Sequence, residues 1–211
     1  MAERSGVGRA KSAVAGGDAQ VTREQGRALL RVAGVIQSVA VDECHEPDVW
    51  DAMIPARRPA AALILGMGGG TIAALLTRRF GPLPIVGVEH DPRIVHLARE
   101  SFGMRELPHV QIVVEDAISF VRQCRASFDL ICVDLYTGGK LAHGVLDASF
   151  LRAVSQLLSR GGVITINLWA SAYLPDHLRR IQRVLPVHDV VEVGGNVVVH
   201  CRRWPGVIVA R

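Results

Sequence analysis

Residues 63–70 read Leu-Ile-Leu-Gly-Met-Gly-Gly-Gly, an apolar run that breaks into a glycine loop. A helical pattern follows from Thr71, and the next apolar run, Ile85-Val-Gly-Val, ends at Glu89. The acid lies about 20 residues past the loop, the spacing of a nucleotide-binding βαβ unit. Glycines let the backbone come close to a ligand, and a carboxylate at the second strand's tip can accept hydrogen bonds from vicinal ribose hydroxyls. The same charge would repel a 2′-phosphate.

Working outward from this unit, strands alternate with helices. Ala61–Leu65, Ile85–Glu89, Val110–Val114, Phe128–Asp134 and Val163–Leu168 read as strands. Helices are expected from Thr71 to Arg79, from Pro92 to about Phe102 behind an Asp91 N-cap, and from Ala117 to Arg125. Another runs from about Asp147 to Leu158, stopped by Gly161-Gly162, and a last one from Pro175 to Val184. Val187–Val193 and Val197–Cys201 close the chain as a hairpin around Gly194-Gly195-Asn196. Such alternation implies a doubly wound α/β fold with a mostly parallel seven-stranded sheet. Before it, Arg27–Val32 and Val35–Val41 form a small N-terminal β-hairpin turning at Ala33-Gly34. Residues 1–20 are expected to be a disordered tail, 21–59 the hairpin and linker, and 60–211 the Rossmann-like domain.

The bulk properties narrow the class. Apolar residues make up 49% of the chain but fall in short runs, none near the ~20 residues of a membrane span. No signal-peptide h-region precedes the hairpin, so a cytoplasmic protein is expected. Cys44, Cys124, Cys132 and Cys201 form no C-x-x-C pair, which argues against a disulfide framework or a zinc site. Cys132, inside an apolar run, reads as core. The positive balance is almost all arginine, since Lys11 and Lys140 are the only lysines. The arginine pairs are scattered at element ends with few aromatics nearby, so they read as solvated surface and not as a nucleic-acid site.

In doubly wound sheets the ligand lies beyond the carboxyl ends of the strands. The polar groups there are Gly66, Gly68, Gly69 and Gly70 after strand one, and Glu89 with His90 and Asp91 after strand two. Strand three offers Glu115-Asp116-Ala117, strand four Asp134 with Tyr136, and strand five Asn167. Asp91 is a helix cap by position. Asp116 is either a cap or a ligand for a base amino group. Asp134 ends a strongly apolar strand, where partial desolvation would raise its pKa toward that of a usable base. Tyr136, Lys140 and His143 lie in the loop that follows, a candidate lid, with Lys140 and His143 read as surface polar groups.

Residues 26–168 resemble the spermidine synthase-like branch of the class I S-adenosylmethionine-dependent methyltransferase superfamily. The matching pieces are Gly34-Val-Ile-Gln-Ser, the glycine loop with Thr71, Val88-Glu-His-Asp-Pro, Val114-Glu-Asp-Ala, Phe128-Asp-Leu-Ile-Cys-Val-Asp and Leu158-Ser-Arg-Gly-Gly-Val-Ile-Thr-Ile-Asn-Leu. The resemblance implies a cofactor, S-adenosylmethionine or its decarboxylated form. It places the methionine portion on the glycine loop, the ribose on Glu89, the adenine on Asp116-Ala117, and Gln37 near the nucleoside. Asp134 matches the acid that helps aminopropyltransferases deprotonate the attacking amine, with Tyr136 beside it.

The departures from that branch bear on the reaction. Where aminopropyltransferases carry an acid in G-G-G-D-G, this chain has Gly69, and where D-S-S-D-P carries its second acid it has Thr137. Their Tyr-Gln pair has no clear counterpart in Glu43–Met53. Each missing group would contact an ammonium or amine, a contact contributing roughly 1.5–3 kcal/mol. Methyl transfer to a small-molecule acceptor is therefore the first expectation, and aminopropyl transfer the alternative. A dehydrogenase is disfavoured because Thr71 stands at the last position of G-x-G-x-x-G. A non-catalytic nucleoside-binding scaffold is the alternative from another class. The hairpin and edge strands also offer surfaces for a homodimer.

Overall fold

The computed structural model describes residues 12–14, 17–43 and 45–203, with side chains from Ala19 onward. Cys44 and most of the expected tail lie outside the described residues. Gly17–Glu24 is nevertheless a strand, so ordered structure begins before the boundary expected at residue 21.

The N-terminal hairpin belongs to a larger antiparallel sheet. Strands β1 (Ser12–Val14), β2 (Gly17–Glu24), β3 (Arg27–Val32) and β4 (Val35–Val39) pair in sequence order. Ala33 and Gly34 have φ of 50° and 81°, as do Gln25 and Gly26 at 51° and 81°. Positive φ at both turn residues is the type I′ geometry that matches strand twist, so these turns form despite their unfavourable first residues.

After a short helix, α1 (Val49–Ala52), the main domain follows the expected alternation. Its elements are β5 (Ala62–Leu65), α2 (Thr71–Phe80), β6 (Ile85–Glu89), α3 (Pro92–Ser101), β7 (Val110–Val114), α4 (Ala117–Gln123) and β8 (Phe128–Val133). A two-residue ladder, β9 (Tyr136–Thr137) with β10 (Lys140–Leu141), fills the loop after β8. Then come α5 (Ala148–Gln156), β11 (Leu158–Trp169), α6 (Leu174–Gln182), β12 (Val187–Val193) and β13 (Asn196–Cys201). Helix α5 stops before the expected Gly161-Gly162 because β11 already pairs with β8 at Leu158.

The seven-stranded sheet runs β12-β13-β11-β8-β5-β6-β7, with β13 antiparallel to both its neighbours. Successive strand residues feed opposite cores. Leu63, Leu65, Ile131 and Val133 pack in the core that includes residues of α4, α5 and α6, whereas Ala62, Ile64, Leu130 and Cys132 pack with α1 and α2. Burial on both faces explains why these strands are apolar throughout. Cys132 and Cys201 are buried free thiols, and burial pushes both up to about 12. The N-terminal sheet has its own core, where Ala28, Leu30 and Val32 meet Ile94 and Phe102. Strand β4 is tied in turn to the loop after β5, where Ser38 Oγ accepts from the Gly69 amide. Among the described residues no helix is long and apolar enough to cross a membrane.

Candidate active site

The chain order reverses between β5 and β8, and the two strands are parallel, with Leu65 opposite Val133. The next residues, Gly66 and Asp134, therefore stand side by side at the switch point, where doubly wound folds bind ligands. The Asp134 amide donates to the Leu65 carbonyl at 2.9 Å. A Cβ on Gly66 would lie 2.1 Å from the Asp134 carbonyl oxygen, and its φ is 84°. No other residue permits this approach.

A cleft opens above this point, lined by Gly66, Gly68, Glu89, His90, Asp116 and Ala117, with Gln37 reaching it from β4. Glu89 is 5% exposed and fixed from three sides. It accepts hydrogen bonds from the Gly68 amide at 3.0 Å and the Asp91 amide at 3.1 Å, and it pairs with His90 Nδ1 at 3.0 Å. That bond to Glu89 pulls the His90 ring above its ordinary pKa. Asp91 caps α3, as its place before Pro92 predicts. Asp116 caps α4 through the Ser119 amide at 2.8 Å and also lines the cleft.

Two glycines expected to hold the ligand do not line the cleft. The Gly69 amide donates to Ser38 Oγ at 2.7 Å, and the Gly70 amide to the Met67 carbonyl at 2.9 Å. A Cβ on Gly69 would lie 2.8 Å from Ser38 Cβ, and one on Gly70 would lie 2.2 Å from Met104 Sδ. Both glycines serve packing, because they let the N-terminal sheet and Met104 press against the loop. Thr71 adds two bonds from its hydroxyl to the Val39 backbone, at 2.8 and 2.9 Å. Ser38 is a residue that reading the sequence missed.

Asp134 is held by two donors. Trp50 Nε1 reaches one carboxylate oxygen at 3.0 Å, and Asn167 Nδ2 reaches the other at 2.9 Å. Asn167 is oriented in turn by Asn196 Nδ2 at 2.9 Å. Burial pushes the Asp134 carboxyl above its ordinary value; the two donors oppose that, and the charge of Asp48 adds to it. The Tyr136 hydroxyl donates to the Asn167 carbonyl at 3.2 Å, and burial followed by the Asp134 charge drives the phenol up. Tyr136 thus keeps its proton and donates it to that carbonyl. His143 is exposed, as expected of a surface group, and also lines the cleft, whereas Lys140 does not.

A second cavity, of about 400 Å³, opens on the other side of Asp134, between α1, β4 and the ends of β11 and β12. Asp134, Gln37 and Tyr136 line both spaces. The sequence reading missed Asp48, Trp50 and Asn196 here. A signal for the first two lay in Asp48-x-x-Asp51: both acids complete a capping box that opens α1 and so aims Trp50 inward.

The chain is similar to known proteins. The spermine/spermidine synthase domain model matches residues 50–184. The polyamine aminopropyltransferase of Thermoplasma volcanium is 30% identical over 159 residues, 72% of this chain and 58% of that protein. The polyamine aminopropyltransferase of Moorella thermoacetica is 31% identical over 171 residues, 78% of this chain and 60% of that one. The chain thus spans less than two thirds of the length of these relatives. A probable spermidine synthase from Corynebacterium glutamicum superposes with a TM-score of 0.78 at 20% identity, covering 91% of this chain and 79% of that one. The chain belongs to the spermine/spermidine synthase domain family.

Proposed function

We propose that this chain transfers an aminopropyl group from decarboxylated S-adenosylmethionine to an amine. The curated relatives are named for aminopropyl transfer. Methyl transfer, the first expectation from the sequence, therefore gives way to the alternative.

One observation carries the choice. The nucleoside cleft presents four acids, Glu89, Glu115, Asp116 and Asp134, and among the described residues no lysine or arginine lines it. The Gly69 and Gly70 amides, which could otherwise receive a carboxylate, are engaged within the protein. Such a cleft suits a cationic donor without a carboxylate group better than one that carries it. The residues present fit the nucleoside, with Glu89 for the ribose hydroxyls, Asp116-Ala117 for the adenine edge, and Gly66 and Gly68 for close backbone approach. When bound, the donor supplies a sulfonium whose thioether is an excellent leaving group. The protein's part is to hold the amine in line and take its proton. Asp134, at the junction of the two cavities, has the position for that role, and its raised pKa suits it.

The test is calorimetric titration with each form of the donor, followed by turnover with an amine. The decarboxylated form is expected to bind at least tenfold more tightly. Asp134→Asn should retain nucleoside binding and lose turnover. Preference for the intact form would refute the reading.

A further inference from the structure

The second cavity is walled largely by apolar and aromatic side chains. Its walls are aliphatic at Val35, Ile36 and Val193 and aromatic at Trp50, Tyr136 and Trp169. The two positions where the resembled enzymes add carboxylates offer none here. Gly69 is closed off by Ser38 and Phe102, and Thr137 lines the nucleoside cleft instead. Asn196 donates to Asn167, and Asn167 to Asp134.

One further acid, Asp48, faces the cavity among the described residues. One of its carboxylate oxygens caps α1 by accepting from the Trp50 amide at 2.9 Å, and burial raises its pKa. That oxygen is thus committed to the helix that carries Trp50. Toward solvent the rim stays apolar, with Ile36 and Trp169 each 39% exposed.

We infer that the acceptor is a primary amine on an apolar or aromatic body, with no second cation. This rests on the proposed aminopropyl transfer. A single ammonium is matched by Asp134, whereas the far ammonium of a diamine would lie against valine and indole surface, where among the described residues the one other acid, Asp48, already has an oxygen in the α1 cap. An apolar body gains from burial between the rings. In the reaction the amine nitrogen's lone pair forms a bond to the methylene beside sulfur. That lone pair is freed when Asp134 first takes a proton from the bound ammonium; the carbon–sulfur bond then breaks with its electron pair staying on sulfur, giving the neutral thioether and a secondary ammonium product.

The test loads the full chain with 5′-methylthioadenosine, the thioether product, and titrates 2-phenylethylamine against 1,4-diaminobutane. The monoamine is expected to bind at least tenfold more tightly, and Trp169→Ala should weaken it several-fold while nucleoside affinity stays within twofold. Equal or tighter diamine binding overturns the inference, and its loss in Asp48→Asn would identify Asp48 as the second anchor. Binding of neither amine to the loaded chain overturns it too. Failure of the nucleoside to bind would strike the proposed function itself, and this inference with it.

Discussion

The indole N–H of Trp50 donates to the carboxylate of Asp134 at 3.0 Å, tying a four-residue helix to the tip of a central strand. This bond lowers the acid's pKa against the larger raising effect of burial. Asp134 must be ionised to accept a proton, so turnover should fall as pH drops through a value above the ordinary 3.8. Trp50→Phe removes a lowering influence. The acid limb of the rate profile should then move to higher pH, and kcat at neutral pH should fall about tenfold or more, the worth of one hydrogen bond to a charged group. A pH–rate series on the two proteins checks this.

Asp48→Asn should act in the opposite direction. Asparagine caps helices about as well as aspartate, so α1 is expected to survive the change. The charge that helps raise Asp134 is gone, and the acid limb should move to lower pH. The opposed shifts separate electrostatics from general damage, which would move both variants the same way.

Glu89→Gln keeps the shape of the side chain and removes its charge. It should weaken nucleoside binding by about one to two orders of magnitude, in line with roughly 1.5–3 kcal/mol for a charged hydrogen-bonding group. Calorimetry with 5′-methylthioadenosine reads the loss directly, and the melting temperature serves as a check on folding.

Gly66→Ala should be the most damaging of the glycine changes. Its new methyl would meet the Asp134 carbonyl at 2.1 Å on top of the left-handed φ of 84°. Gly81→Ala has a φ of 73° with nothing within 4 Å, so it carries the backbone penalty alone, about 1–3 kcal/mol. Overpacking adds about 1–3 kcal/mol at Gly66, and its melting point should fall several degrees further.

What the sequence declared and what it withheld divide along a physical line. The strand–helix alternation, Glu89 and the Asp134 strand end were legible because each leaves a local mark in periodicity or spacing. The position of Asp116 allowed two duties; the cap is seen, and the side chain also lines the cleft. Gly69 and Gly70 misled because a glycine loop looks alike whether its open face meets a ligand or a neighbouring strand. Only the arrival of Ser38, 31 residues earlier, decides between them. Trp50 and Asn196 were hidden for the same reason: their bonds reach across 84 and 29 residues, and no window of sequence holds both partners.

The chain of bonds from Asn196 through Asn167 to Asp134 has a consequence for the order of events during synthesis. Every strand beneath the nucleoside cleft is translated before the closing hairpin that carries Asn196. A nascent chain could thus shape its donor half while the amide that steadies its acid still swung free. Chemical competence would come last, set by the docking of a hairpin that touches no nucleoside.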